Sequence, residues 1–156
     1  MVTMKRQLLI SAPKNSVQQY LRDLNRLSEY GPKLKEIAVS QTEEGSGVVE
    51  VQGKFMSMPW RGAFRVEFTQ DGGYRREMVR GPLPKMAGAF HLRSVTGGTL
   101  ITQEQQCQLP LPLRPLSFVW RRWLDAAMDR ELHVIKEGAE RLNRELQLKQ
   151  LEKAAI

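Results

Sequence analysis

The sequence predicts an α+β protein, an antiparallel sheet backed by a long C-terminal helix, and three observations carry that prediction. Val49, Val51 and Phe55 alternate with Glu50, Gln52 and Lys54, and Phe64, Val66 and Phe68 alternate with Arg65 and Glu67. Period 2 with one polar side marks strands wetted on a single face. Glycine-containing punctuation at residues 44–47, 71–73 and 97–98 supplies the positive φ of tight hairpins. After Pro115 the period changes: Leu124, Met128, Leu132, Ile135, Ala139, Leu142 and Leu146 step by four and three, one amphipathic stripe.

Taken in order, residues 3–10 end in an apolar run with a β-branched residue and predict a first strand. Ser11 reads as a helix cap, and Pro13 stands where a first helical turn tolerates proline. Val17, Tyr20, Leu21 and Leu24 recur at helical spacing, so a short helix is expected over 13–23. A second short helix over 25–30 is stopped by Gly31-Pro32. Strands follow at 35–42, 48–56, 60–69, 74–80, 87–95 and 99–109, giving a seven-stranded sheet with the first. The closing helix is expected over 116–148, about 45–50 Å long at 1.5 Å per residue, with Glu137/Arg141 and Glu140/Arg144 as favourable pairs on its wet side. One domain covers 1–150, and 151–156 form a tail.

Composition bounds the chemistry. A chain of 156 residues suits a single core, and 41% hydrophobic with 26% charged residues is an ordinary globular balance. One cysteine, Cys107, excludes an intramolecular disulfide and a Cys-rich zinc site; two histidines, His91 and His133, leave little for metal or triad chemistry. No motif implies a cofactor or a metal. The apolar run before Ser11 is too short for a signal peptide, and no stretch is long enough to span a bilayer, so a cytoplasmic protein is expected. The net charge of +7 directs attention to an anionic partner: nucleic acid, membrane or ligand. The arginines are scattered rather than gathered with strand aromatics, which argues against nucleic acid. Oligomeric state is not legible.

The element order resembles that of the START-like helix-grip (SRPBCC) superfamily, and within it the bacterial polyketide cyclase/dehydrase and lipid-transport group. The residues carrying the likeness are Leu9-Ile10-Ser11-Ala12-Pro13 with Val17 and Leu21-Arg22-Asp23-Leu24, then Gly97-Gly98-Thr99-Leu100-Ile101-Thr102, and Leu124 and Leu132 in the last helix. The resemblance implies a curved sheet gripping that helix, with a cavity between them for a hydrophobic or amphipathic molecule. Expected to line it are Tyr30, Val51, Phe55, Trp60, Phe64, Val66, Arg76, Met78, Phe90, Met128 and Leu132. Seven methionines, Met56, Met58 and Met86 among them, suit an adaptable apolar surface.

Tyr30, Trp60, His91, Arg76 and Arg80 are the polar or amphipathic residues expected to face inward. Residues 74–80 have no clean apolar side: Arg76, Met78 and Arg80 share one parity, and Arg75, Glu77 and Val79 the other. An inward arginine needs a carboxylate or a ligand oxygen to offset its desolvation. Gln103, Gln105 and Cys107 share one face of the last strand and Thr102, Glu104 and Gln106 the other, with register open. A cyclase or dehydratase would need an acid or base, for which His91, Tyr30, Glu77 and Glu104 are the options, but no catalytic set converges. Binding or transport of a lipid or polyketide-like molecule is therefore the leading expectation, with a cyclase/dehydratase-type enzyme as the alternative.

Residues 109–123 mix Leu111, Leu113, Leu116, Phe118, Val119, Trp120 and Trp123 with Arg114, Arg121 and Arg122. Such a mixture suits a partner or an anionic membrane interface, or else packs the helix start onto the sheet edge.

Overall fold

A computed structural model describes residues 1–30, 34–41, 46–55, 57–83 and 85–155, with the side chains of Ser28, Tyr30, 34–41 and 54–55 outside the description. Strand β1 (Val2–Ile10) is followed by helix α1 (Lys14–Arg22), a 3-10 turn (Leu24–Arg26) and the short helix α2 (Leu27–Tyr30). Strands β2 (Leu34–Gln41), β3 (Ser46–Phe55), β4 (Met58–Phe68), β5 (Tyr74–Arg80), β6 (Lys85–Val95) and β7 (Gly98–Gln108) come next. A second 3-10 turn (Leu111–Leu116) leads into helix α3 (Ser117–Ala154).

The strands form one antiparallel sheet in the order β1-β7-β6-β5-β4-β3-β2, so the first strand returns to pair with the last. From β2 to β7 each strand pairs antiparallel with the next in sequence, the hairpin arrangement. Thr69 N–H bonds Gly73 O at 3.0 Å and closes the β4–β5 turn, while Gly97 at φ +90° turns β6 into β7. Register shifts at Leu34/Glu36 and Ala63/Phe64 mark bulges, which bend and twist a sheet locally.

Helix α3 lies over β1 and β7 on the concave side. Arg6 of β1 reaches Asp125 at 2.5 Å and Asp129 at 2.8 Å, and Ser16 of α1 donates to Asn143 at 3.0 Å. The expected stripe is the buried one from Leu124 through Ala139. The helix runs past residue 148 to Ala154, about 57 Å at 1.5 Å per residue. One local expectation is corrected. Ser11 does not cap α1, whose N-cap is Pro13 with no side-chain bond; Ser11 instead gives its N–H to Glu140 at 2.8 Å. Glu140 is held by that bond and by Lys136 on the preceding turn.

Apolar side chains gather in two clusters. The larger joins Ile10, Val17, Tyr20, Leu21, Val49, Val51, Val66, Tyr74, Phe90 and Ile101 to Leu132, Ile135 and Ala139. The smaller joins Val2, Cys107 and Leu109 to Trp120, Leu124 and Met128.

Candidate functional site

Cross-strand pairing fixes which side chains share the concave face. Val49 pairs with Phe64, Phe64 with Met78, Val66 with Arg76, Arg76 with Gly88, Gly88 with Gln105 and Phe90 with Gln103. Directly paired residues project to the same side, so these rows form one surface opposite α3. Of the residues expected there, Val51, Val66, Phe90, Met128 and Leu132 are buried, while Trp60, Phe64 and Met78 are half-buried. The side chains of Tyr30 and Phe55, and Met56 altogether, lie outside the described residues. Met58 is 64% exposed and takes no part in this surface.

A polar layer separates the two apolar clusters. On β7 it falls at Gln103 and Gln105, between Ile101 of one cluster and Cys107 of the other; on α3 it is Glu131, between Met128 and Leu132. Arg76 Nη1 lies 2.9 Å from Glu131 Oε1, and its Nη2 donates to Gln105 Oε1 at 3.3 Å. Gln103 Nε2 donates to Glu131 Oε2 at 2.9 Å. The Arg76 guanidinium also sits 5.4 Å from the centre of the Phe90 ring. Gly88 makes room for the layer, since a Cβ there would run into Gln105 Oε1.

Burial gives these contacts their weight. Glu131 is 2% exposed and Arg76 11%, so their ion pair offsets the desolvation of two buried charges. Gln103 Oε1 is buried without a hydrogen-bond partner, an acceptor that ordinarily costs about 1–3 kcal/mol to leave unmade. Arg76 is the most exposed member of the layer and borders the half-buried Phe64 and Met78. The arrangement thus offers a cationic donor and a neutral acceptor within apolar walls, suited to a ligand's carbonyl, hydroxyl or anionic oxygen.

Of the expected acid–base residues, His91, Glu77 and Glu104 lie on the opposite, outer face, and the Tyr30 side chain is outside the described residues. His91 pairs in register with Thr102, Glu77 with Arg65 and Ala87, and Glu104 with Ala89. His91, Glu77 and Glu104 line an open trough of about 470 Å³ with Arg65, Arg75 and a floor of Ala87 and Ala89. His91 Nδ1 is 3.1 Å from Asp71 Oδ2, and Nε2 is 3.7 Å from Glu104 Oε2. Burial pushes the Asp71 carboxyl up, but hydrogen bonds from Thr69, the Gly73 N–H and His91 outweigh it and hold the group below its usual range. Asp71 therefore serves the β4–β5 turn. Arg80, also expected inward, is 68% exposed and 3.4 Å from Glu50. The reason is the bulge beside Ala63: Arg80 pairs with Ala63 while Met78 pairs with Phe64, so the parity breaks between them.

In the 109–123 segment the tryptophans belong to the core. Trp120 is 8% exposed, its indole N–H bonds Cys107 Sγ at 2.7 Å, and its ring stacks at 5.1 Å on half-buried Trp123. Burial pushes the Cys107 thiol up, which leaves it a structural hydrophobe.

Sequence reasoning missed Glu131, although a signal existed. It stands three residues after Met128 and four before Ile135, on the apolar stripe itself. Gln103 and Gln105 were placed on one face, but the choice of face needed the register with Phe90 and Gly88.

The architecture is the START-like helix-grip fold. No family model matches the chain, and no curated protein matches it in sequence. Solved structures match it in fold. The Zhui aromatase/cyclase from Streptomyces sp. R1128 superposes with a TM-score of 0.74 at 13% identity, over 90% of this chain and 94% of that one. The di-domain aromatase/cyclase StfQ of the steffimycin biosynthetic pathway gives 0.78 at 13% identity, over 90% of this chain and 51% of that one. A START superfamily protein from Mycobacterium smegmatis gives 0.68 at 12% identity, over 92% and 98%.

Proposed function

We propose that the protein binds a hydrophobic or amphipathic small molecule, lipid- or polyketide-like, against the concave sheet face beside α3. The observation that carries this reading is the Arg76–Glu131–Gln103 layer, buried between two apolar clusters and holding an unpartnered amide oxygen. A ligand's apolar body would contact Trp60, Phe64 and Met78 with Val51, Val66 and Phe90 behind them, and Met128 and Leu132 on the helix side. Its polar end would take the Arg76 guanidinium and donate to Gln103 Oε1. Tyr30 and Phe55 are proposed to add to these apolar walls. The similar structures named as aromatase/cyclases support a polyketide-like shape, and the START superfamily neighbour supports a lipid-like one.

Binding without turnover is the leading reading. A cyclase-type reaction draws support from the two aromatase/cyclase neighbours, yet His91, Glu77 and Glu104 face the other side of the sheet from Arg76. The reading is tested by fluorescence titration with 2-naphthol, an aromatic body carrying one hydroxyl. Saturable binding is expected, weakened about tenfold by Phe64→Ala, as loss of roughly 1.4 kcal/mol of apolar contact would give. Titrations that never saturate would reject it.

A further inference from the structure

The start of the last helix leaves large apolar side chains in solvent. The 3-10 turn Leu111–Leu116 buries none of its residues, and Leu111, Leu113, Leu116 and Phe118 are 71%, 43%, 51% and 64% exposed. Single exposed leucines are ordinary, but this concentration in one short stretch is the kind that marks an interaction site. The stretch is also fastened from behind. Trp120 and Trp123 pack inward with Leu83, Met86, Cys107 and Met128, so the outward side chains are carried on an anchored base.

Along the chain the charge of the patch itself has a single sign. Arg114, Arg121 and Arg122 are exposed, and no Asp or Glu occurs from residue 105 through 124. The first turn of α3 likewise has no acidic residue to offset the positive end of the helix dipole. A second copy of the chain is a poor occupant, because a two-fold contact would bring the arginines of both copies together without a counter-charge. An anionic lipid surface meets both demands: acyl boundary for the leucines and Phe118, phosphate and carboxylate for the arginines. No described helix is long and apolar enough to cross a membrane, so this contact lies on the bilayer surface.

We propose that Leu111–Phe118, with Arg114, Arg121 and Arg122, docks the protein on anionic phospholipid bilayers. The proposal stands apart from the ligand reading, because the patch is on the surface and needs no occupant between sheet and helix. Its position does add a consequence: Leu83 and Met86 join the patch's anchoring cluster to the β5–β6 end of the sheet, so docking would bring that end of the concave face to the lipid.

The experiment is cosedimentation of the full chain with phosphatidylcholine vesicles containing or lacking phosphatidylserine. Each arginine at an anionic surface is worth roughly fivefold in partitioning, so three give roughly a hundredfold preference for the phosphatidylserine vesicles, declining with added salt. Combined Arg114→Gln, Arg121→Gln and Arg122→Gln substitutions should abolish the preference, and Leu111→Ser with Phe118→Ser should weaken binding to both vesicles. All five side chains are exposed, and thermal melts of the variants check that the fold is intact. Equal binding to the two vesicle types overturns the proposal, as does binding that survives both sets of substitutions. Self-association that Phe118→Ser removes, with no vesicle binding, assigns the patch to a second copy and overturns it as well.

Discussion

Arg76 and Glu131 illustrate how a side chain's partner decides its meaning. On β5 neither parity is apolar, so residue types alone left Arg75 and Arg76 equivalent; pairing with Val66 and Gly88 turns Arg76 inward. Glu131 then becomes necessary, because an arginine 11% exposed requires a nearby negative charge. A buried pair of this kind is costly to break and cheap to replace whole. Glu131→Leu is therefore expected to lower stability by about 3–5 kcal/mol in urea unfolding, since it removes the carboxylate that offsets the buried guanidinium. The double variant Arg76→Met with Glu131→Leu should recover most of that loss. If the two single effects simply add in the double variant, the charges are not coupled as described.

At the level of elements, the strands were readable where one face is apolar and the other wet, as in β3 and β4. The last strand was readable as a strand but its facing was not, because its buried face carries Gln103 and Gln105 between Ile101 and Cys107, and alternation disappears when both faces are polar. The cap of α1 was misread because the helix begins at Lys14, which makes Pro13 the N-cap and leaves Ser11 two residues too early, where its N–H meets Glu140 of the distant α3. The crossing of α1 and α3 also depends on a residue that no periodicity singles out. Gly138 lies against the Tyr20 ring, and a Cβ there would stand 2.6 Å from Tyr20 Oη and closer still to the ring carbons. Tyr20 has little room to withdraw, being fully buried with its hydroxyl donating to Glu29 at 2.7 Å. Gly138→Ala gains about 1 kcal/mol in helix propensity but faces about 1–3 kcal/mol of overpacking. A net loss is expected, visible as a lower melting temperature; a higher one would show that the two helices can separate freely.

Across the whole molecule, the net charge of +7 resolves into distinct uses. Arg6 ties β1 to α3, Arg76 lies inside the grip, and Arg114, Arg121 and Arg122 surround the exposed apolar patch. Arg65 and Arg75 stand with Glu67, Glu77 and His91 along the outer trough. The sheet thus presents two candidate surfaces on opposite sides, one apolar with a buried polar layer and one open and charged. Sequence alone could not rank them, because His91, Glu77 and Glu104 change sides with the register. The most direct measurement is a methyl-resolved NMR titration of the protein with 2-naphthol, which reports on both sides at once. Binding at the concave site predicts shifts at the methyls of Val51, Val66 and Met78 while those of Ala87 and Ala89 stay in place. Shifts confined to Ala87 and Ala89 would put the ligand in the outer trough and contradict the account.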